Sequence, residues 1–403
     1  MSLRVLFLDM NAFFASVEQQ LQPRLRGRAV AVAAVDVGST CCIAVSQEAK
    51  HLGIHRGMPV WQAKKCQSLL VVEARPALYV QVHHAIIAAV ESCLPVRSVD
   101  SIDELSCRLN PQQAEPMVAT ELARRVKRAI HDRVGSYLKC SIGLAPNKFL
   151  AKVASDMRKP DGLVVIDDGD LPRVLYPLAL DDLPGIGRGM LSRLTSARVA
   201  TVEQLCQLTE RQMKAIWGGI VGQRWWYWLR GHDLVEPATR RCTVGNSHVL
   251  PPQLRTAEGA QAVLLRLIHK AAARLRRMKY WAGRLEVYVS FTFREEGWSG
   301  SIALGLCQDT LTIIEAFREL WRLRPPGDRP TQVAVTLYDL VPDSSVSLPL
   351  FPTERQRIAL SRTMDQLNRR FGPNTVYFGG MHHVRDAAPT RIAFTRIPNF
   401  LDD

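Results

Sequence analysis

The sequence predicts an α+β chain of several domains, on three observations. Its 403 residues exceed what one core of roughly 150 residues can serve, so about two to four domains are expected. Over about the first 165 residues, short apolar strands alternate with long helical patterns, which marks mixed α and β structure. From 244 to about 341 the order strand, helix, two strands, helix, strand makes a βαββαβ unit.

The elements follow in order. Residues 3–8 hold Arg4 as their one polar member and run into Asp9, which fits a buried strand delivering Asp9 at its carboxyl end. A helix is expected over about 12–20, with further strands at 29–34, 43–45, 70–73, 105–109 and 138–144. Between them lie helical patterns at 79–92, 111–134 and 147–158. From 168 to 233 the pattern is wholly helical, punctuated by Leu183-Pro184-Gly185-Ile186-Gly187 and by Gly218, Gly219 and Gly222. Residues 236–241 carry Pro237 and two arginines, Arg240 and Arg241, and read as a linker. The helix expected at 256–278 places Leu264, Leu267, Ile268, Ala271, Leu275 and Met278 on one face, and Arg266, Lys270, Arg274 and Arg277 on the other. Beyond Pro342 come a short apolar peptide and a helix over about 353–371, with no clear core.

Charge narrows the function. Lys plus Arg number 52 against 38 Asp plus Glu, a net +14, which favours a polyanionic partner such as nucleic acid or an anionic membrane over charge kept for solubility. No uncharged apolar run reaches the roughly 18 residues of a membrane span. Nine cysteines make an odd count without a CxxC, and the first residues lack the order of a secretory signal, so reduced thiols in a cytoplasm are expected. His83-His84 and His382-His383 have no cysteine partners at zinc spacing, which argues against a zinc site.

Asp9 alone is weak evidence, because an acid at a strand end is commonly a cap. Asp103 and Glu104 stand side by side between two expected strands. Adjacent carboxylates on a regular strand point to opposite faces, so a shared site needs them at a bend. Three hard oxygen ligands gathered there would suit Mg²⁺ rather than zinc.

Asp9-Met10-Asn11-Ala12-Phe13-Phe14-Ala15-Ser16-Val17-Glu18, Ser101-Ile102-Asp103-Glu104, Ser141-Ile142-Gly143-Leu144-Ala145-Pro146-Asn147-Lys148, Lys152-Val153-Ala154-Ser155-Asp156 and Lys159-Pro160-Asp161-Gly162 together resemble the Y-family translesion DNA polymerases. The resemblance spans about residues 3–340. The Asn-Ala-Phe-Phe segment, Glu48-Ala49-Lys50 and the C-terminal extension look closer to the catalytic subunit of bacterial DNA polymerase V than to polymerase IV.

The resemblance implies a right-hand architecture. The palm would be 1–11 and 77–167, the fingers 12–76, the helical thumb 168–235, the linker 236–243, the little finger 244–341 and the tail 342–403. Asp9, Asp103, Glu104 and the Met10 carbonyl would hold two Mg²⁺ ions and carry catalysis. Phe14 would be the steric gate that excludes a ribose 2′-hydroxyl. Asn11, Ala12, Phe13, Lys50 and Lys159 would bind the nucleotide, with Lys159 acting as a point charge on the triphosphate. The fingers depart from the common Thr, Tyr and Arg pattern, placing Ala44, Gln47 and Lys50 there, which bears on nucleotide affinity.

Gly185 and Gly187 resemble a helix-hairpin-helix tip whose backbone amides meet a DNA phosphate, where the simpler alternative is a helix-to-helix turn. Trp225, Trp226, Tyr227 and Trp228 read mainly as core. Arg240 and Arg241, with the little-finger sheet, would hold primer-template DNA, while the basic helix face is either solvated or in contact with DNA. Ser347-Leu348-Pro349-Leu350-Phe351 resembles a sliding-clamp peptide, with Leu348, Leu350 and Phe351 filling the clamp pocket.

The activity implied is low-fidelity, template-directed DNA synthesis from dNTPs past damaged bases, as part of an SOS response, with damage-response accessory proteins as further partners. No exonuclease-like segment remains once the domains are assigned, so proofreading is not expected. The rival readings are a catalytically inactive polymerase-like scaffold and another two-metal nucleotidyltransferase.

Overall fold

The structure is a computed structural model and describes residues 3–38, 40–235, 241–292, 296–325, 329–347 and 349–388. These fall into two compact units, 3–235 and 241–388. The first runs β1 (Val5–Met10), α1 (Phe13–Leu21), β2 (Val30–Ala33), β3 (Cys42–Val45), α2 (Gln47–His51), α3 (Val60–Ala63), β4 (Leu70–Glu73), α4 (Pro76–Glu91), β5 (Val96–Val99), β6 (Glu104–Arg108), α5 (Pro116–Arg133), β7 (Cys140–Ala145), α6 (Lys148–Met157) and β8 (Leu163–Val165). Helices α7 (Arg188–Ser196), α8 (Val202–Gln207), α9 (Glu210–Trp217) and α10 (Ile220–Trp228) complete it.

Its larger sheet has the order β5-β6-β1-β7-β8, with β1 antiparallel to both β6 and β7. Every residue of β1 is buried, as its apolar run predicts. Helix α6 opens with Asn147 Oδ1 accepting from the Leu150 N–H at 2.8 Å, and packs on β7 and β1. Gly143 makes that packing possible, since a Cβ there would collide with the backbone of Ala151 and Ser155. The smaller sheet, β3-β2-β4, pairs β2 antiparallel with β3 and parallel with β4.

The helical segment shares a core with the large sheet. Val5 and Phe7 of β1 cluster with Leu183, Ile186, Leu194, Met213, Trp225 and Leu229. Phe149 of α6 stacks on Trp228 with planes 15° apart and meets Trp225 edge-on. Asn147 Nδ2 donates to the Trp228 and His232 carbonyls at 2.9 and 3.1 Å, fastening the two parts. Trp225 is buried, and Trp226 and Trp228 pack against the same core, as the sequence predicts.

The second unit runs β9 (Thr243–Val249), α11 (Ala257–Arg277), β10 (Tyr280–Phe291), β11 (Trp298–Cys307), α12 (Thr310–Arg322), β12 (Pro330–Pro342) and α13 (Pro352–Phe371). Its antiparallel sheet has the order β11-β10-β12-β9, which gives the expected βαββαβ unit. Leu264, Leu267, Ile268, Ala271 and Leu275 of α11 join Leu285, Val287, Val333, Val335 and Leu337 in one core. The opposite sheet face carries Ser247, Arg284, Tyr288, Ser299 and Ser301, all exposed.

Two expectations are corrected here. The segment after Pro342 does have a core, because Met381, Val384 and Ala388 pack into that of the second unit. Helix α13 is fixed by Asp365, which receives Arg276 Nε at 2.7 Å and Nη2 at 2.8 Å. The basic side of α11 is accordingly divided: Arg266 is buried and Lys270 Nζ donates to the Ala388 carbonyl at 3.2 Å, while Arg274 is half-buried and Arg277 is exposed. Long arginine and lysine stems cover apolar surface as readily as they reach solvent.

Candidate active site

Strand register brings the acids together. Asp9 of β1 lies directly opposite Glu104 of β6, and cross-strand partners project to the same sheet face. Asp103 sits in the tight turn before β6, where Asp100 and Ser101 N–H groups bond the Glu104 carbonyl at 2.9 and 3.2 Å. The Met10 N–H donates to the Asp103 carbonyl at 2.8 Å, holding this turn against the end of β1. The bend that adjacent carboxylates required is present.

Lys152 of α6 stands at the centre. Its Nζ lies 2.6 Å from Asp9 Oδ2, 2.7 Å from Glu104 Oε1 and 3.2 Å from Asp156 Oδ2. Lys159 adds contacts of 2.8 Å to Asp9 Oδ2 and 2.6 Å to Asp156 Oδ1. Burial pushes the Asp9 carboxyl up, but Lys152 and Lys159 outweigh it and hold the group below the usual carboxylate range. Burial raises Asp103, with the Asp9 charge adding to it against a 2.5 Å hydrogen bond from the Ser101 hydroxyl. Burial likewise raises Glu104, despite Lys152. Asp9, Asp156 and Glu104 raise Lys152 in turn, against its own burial.

Among the described residues no group of three or more His, Cys, Asp or Glu stands ready-formed around a metal position. The donor chemistry nonetheless fits a hard divalent cation. Asp9 and Glu104 already face one shared cationic centre, the Lys152 ammonium, and Asp103 and Glu104 are carboxylates whose burial calls for more positive charge than they have.

The turn after β1 holds one strained residue and is tied down by internal hydrogen bonds. Ala12, cap of α1, has φ 50° and ψ 40°, a left-handed conformation costing about 1 kcal/mol for a residue with a Cβ. Asn11 is committed internally, its Nδ2 donating to Ser141 Oγ at 3.0 Å and its Oδ1 accepting from the Asp161 N–H at 2.7 Å. The Phe13 ring is buried in the fold. Hence a ligand at this turn meets backbone N–H groups of the helix start rather than the Asn11 or Phe13 side chains. Phe14 is buried and stacks on Tyr79. Lys50 of α2 has its ammonium lowered by burial and by the charge of Lys159, while Asp9 pulls it back, so all three lie in one electrostatic neighbourhood.

In the helical segment, Leu183 and Ile186 plug the core while Gly185 (φ 103°) and Gly187, cap of α7, form the hairpin tip. Arg241 donates to Met278 Sδ at 2.7 Å, within the second unit. Leu350 and Phe351 are exposed, at 84% and 66%. Arg240 and Leu348 lie outside the described residues. Lys152 and Asp156 lie in a motif of the sequence that assigns them no role of their own. Their i, i+4 spacing on a helix expected to follow the third core strand was the signal that would have found them.

A five-stranded sheet bearing three convergent acids, a helical hairpin segment in the same core and a separate βαββαβ unit define a right-hand polymerase. Comparison with known proteins is consistent with this class. The impB/mucB/samB family model matches residues 8–156, its C-terminal domain matches 241–350, and the DNA polymerase-iota thumb domain matches 181–233. DNA polymerase IV of Moorella thermoacetica is 34% identical over 93% of this chain and 94% of its own length. DNA polymerase IV 1 of Halalkalibacterium halodurans is 30% identical over 93% of both chains. In fold, a Y-family DNA polymerase chimera built on Dbh matches with a TM-score of 0.71 at 23% identity, over 84% of this chain and 99% of the other. DinB from Sulfolobus solfataricus matches at 0.52 with 24% identity, over 83% and 98%. The chain belongs to the Y family of DNA polymerases, and is a DNA-directed DNA polymerase of the translesion type. Both relatives carry the polymerase IV name, not that of the polymerase V catalytic subunit. Among the described residues no helix is long and apolar enough to cross a membrane.

Proposed function

We propose that the chain performs low-fidelity translesion synthesis, adding dNTPs to a primer 3′-hydroxyl across damaged template bases. The convergence of Asp9, Asp103 and Glu104, enforced by strand register and the turn before β6, carries this reading. Two Mg²⁺ ions held by these acids and the Met10 carbonyl would stabilise the attacking and leaving oxygens of in-line displacement at phosphorus. Lys159 and Lys50 place positive charge for the triphosphate, and the backbone at Ala12 and Phe13 offers N–H donors to it, while the Asn11 N–H is spent on the Lys139 carbonyl at 2.8 Å and leaves Asn11 to shape the turn. Phe14 closes the space where a ribose 2′-hydroxyl would sit. Gly185 and Gly187 present backbone to a duplex phosphate, and Arg240, Arg241 and the open face of the second unit's sheet hold primer-template DNA without reading its sequence.

The domain limits proposed are those given by the resemblance, from palm 1–11 and 77–167 to tail 342–403. Leu348, Leu350 and Phe351 are proposed to dock a sliding clamp, in a cytoplasmic SOS setting with accessory proteins. A closer kinship to the polymerase V catalytic subunit is a narrower proposal, supported by Glu48-Ala49-Lys50 and the tail peptide. Primer extension by the chain alone speaks for a self-sufficient enzyme, and strict dependence on added subunits speaks for the narrower kinship.

The decisive assay is primer extension on undamaged and abasic templates. Asp103→Ala is expected to lower synthesis on the order of a thousandfold, and Phe14→Ala to admit ribonucleotides. Wild-type extension by Asp103→Ala would favour the inactive-scaffold reading of the acids.

A further inference from the structure

Beneath Phe14 the first unit holds a buried polar assembly to which the chemistry above gives no role. Phe14 and Glu18 lie one helical turn apart on α1 and share a face. The Phe14 ring stacks on Tyr79 of α4, with centroids 4.3 Å and planes 14° apart. Tyr79 is fully buried, and its hydroxyl donates to Glu18 Oε1 at 2.8 Å. Arg75, cap of α4, donates from Nε to Oε1 at 3.0 Å and from Nη2 to Oε2 at 2.5 Å, while Gln22 Nε2 donates to Oε2 at 2.7 Å.

Glu18 is wholly enclosed, a position a carboxylate tolerates only when its charge and lone pairs are met. For stacking alone, phenylalanine at 79 would serve as well and would bring no buried hydroxyl needing a partner. What the hydroxyl adds is orientation, since it pins the far end of the Tyr79 ring to a carboxylate that is itself pinned by a two-pronged arginine. Phe14 rests on that ring. Rejection of a 2′-hydroxyl by an aromatic ring is short-range repulsion, and slack of about 1 Å in the support removes much of such a contact.

We propose that Glu18 is a positioning residue for sugar selection: by fixing Tyr79 through its hydroxyl and through Arg75, it sets how closely the Phe14 ring approaches the sugar of an incoming nucleotide. The inference rests on the reading of Phe14 as the ribose-excluding residue.

The experiment measures kcat/KM for one dNTP and its matching rNTP with the full chain, in wild type, Glu18→Gln, Tyr79→Phe, Phe14→Ala and the Phe14→Ala/Tyr79→Phe pair. Tyr79→Phe keeps the ring and its volume, so it folds even where Glu18→Gln does not, and thermal unfolding is recorded for each protein. Tyr79→Phe and Glu18→Gln are each expected to lower the dNTP-over-rNTP ratio about tenfold, through a rise in rNTP use rather than a collapse in dNTP use. Phe14→Ala is expected to lower the ratio further, with no additional drop in the pair, because the support has nothing left to position. If Phe14→Ala admits ribonucleotides while Tyr79→Phe discriminates as wild type does, Glu18 serves stability alone and the inference falls. If Phe14→Ala leaves the ratio unchanged, the reading of Phe14 falls first and takes the inference with it.

Discussion

Asp9, Asp103 and Glu104 are packed among strands of the first unit, with Lys152 shared by Asp9 and Glu104, whereas Ser247, Arg284, Tyr288, Ser299 and Ser301 stand exposed on an open sheet face of the second. The first region concentrates like charge where the surroundings are least like water, so each interaction there is strong and position-dependent. The second spreads polar side chains over a surface where single contacts are weak and screened. Chemistry at one phosphorus atom needs the former. In the function proposed above, holding a polymer that must slide on without being read is the task of the latter.

The contrast breaks most visibly at Lys152. Lys152→Ala leaves Asp9 and Glu104 without their shared cation, and is expected to cost about 3 kcal/mol of stability in chelator, with Mg²⁺ restoring more in the variant than in wild type. Thermal unfolding with EDTA and with Mg²⁺ measures both effects. An equal response to Mg²⁺ in the two proteins would mean that the lysine does not hold apart charges that a divalent ion also screens.

The second unit is not free of buried titratable groups, and His269 sharpens the comparison. Burial, aided by Arg266 and Arg276 and opposed by Asp365, pushes its imidazole down to about 4 from 6.5. The unfolded chain therefore binds the proton first on acidification. The stability linked to His269 is intact above pH 6.5 and is lost as pH falls toward 4, on the order of 3 kcal/mol in all. His269→Gln should flatten that part of the pH profile of unfolding, as followed by circular dichroism; an unchanged profile would place the acid sensitivity elsewhere.

The smallest effect belongs to the open face itself. Arg284→Ala is expected to weaken primer-template binding a few-fold on all sequences and to reduce the slope of log affinity against log salt by about one. Titration at several salt concentrations tests it, and a sequence-dependent loss would contradict a surface that only holds backbone.

The same contrast governs what the sequence made legible. Strand β1, the α11 core face and the βαββαβ order were readable because burial repeats with a regular period there. The bend at Asp103 and Glu104 was readable because two adjacent acids cannot share a face of a regular strand. Strands β5 and β8 were missed: β5 is an edge strand with mixed exposure, and β8 has 3 residues. The short helices α2 and α3 fall below any periodic signal. The docking of the tail was not legible because its apolar contacts, Met381, Val384 and Ala388, follow no regular period and helix α13 is held by polar groups, Asp365 on Arg276 and Ser361 on the Thr310 N–H. Of the partners of Lys152 only Asp156, at i+4, is near in sequence; Asp9 and Glu104 are remote, and only folding gathers them.

The core that Val5 and Phe7 share with Trp225 and Leu229 has a mechanical consequence. It welds the hairpin tip and the strand bearing Asp9 into a single frame, with Asn147 as a rivet at the seam. On the reading proposed above, in which the tip meets a duplex phosphate and Asp9 serves the chemistry, a jaw built this way would keep its gauge from one nucleotide step to the next.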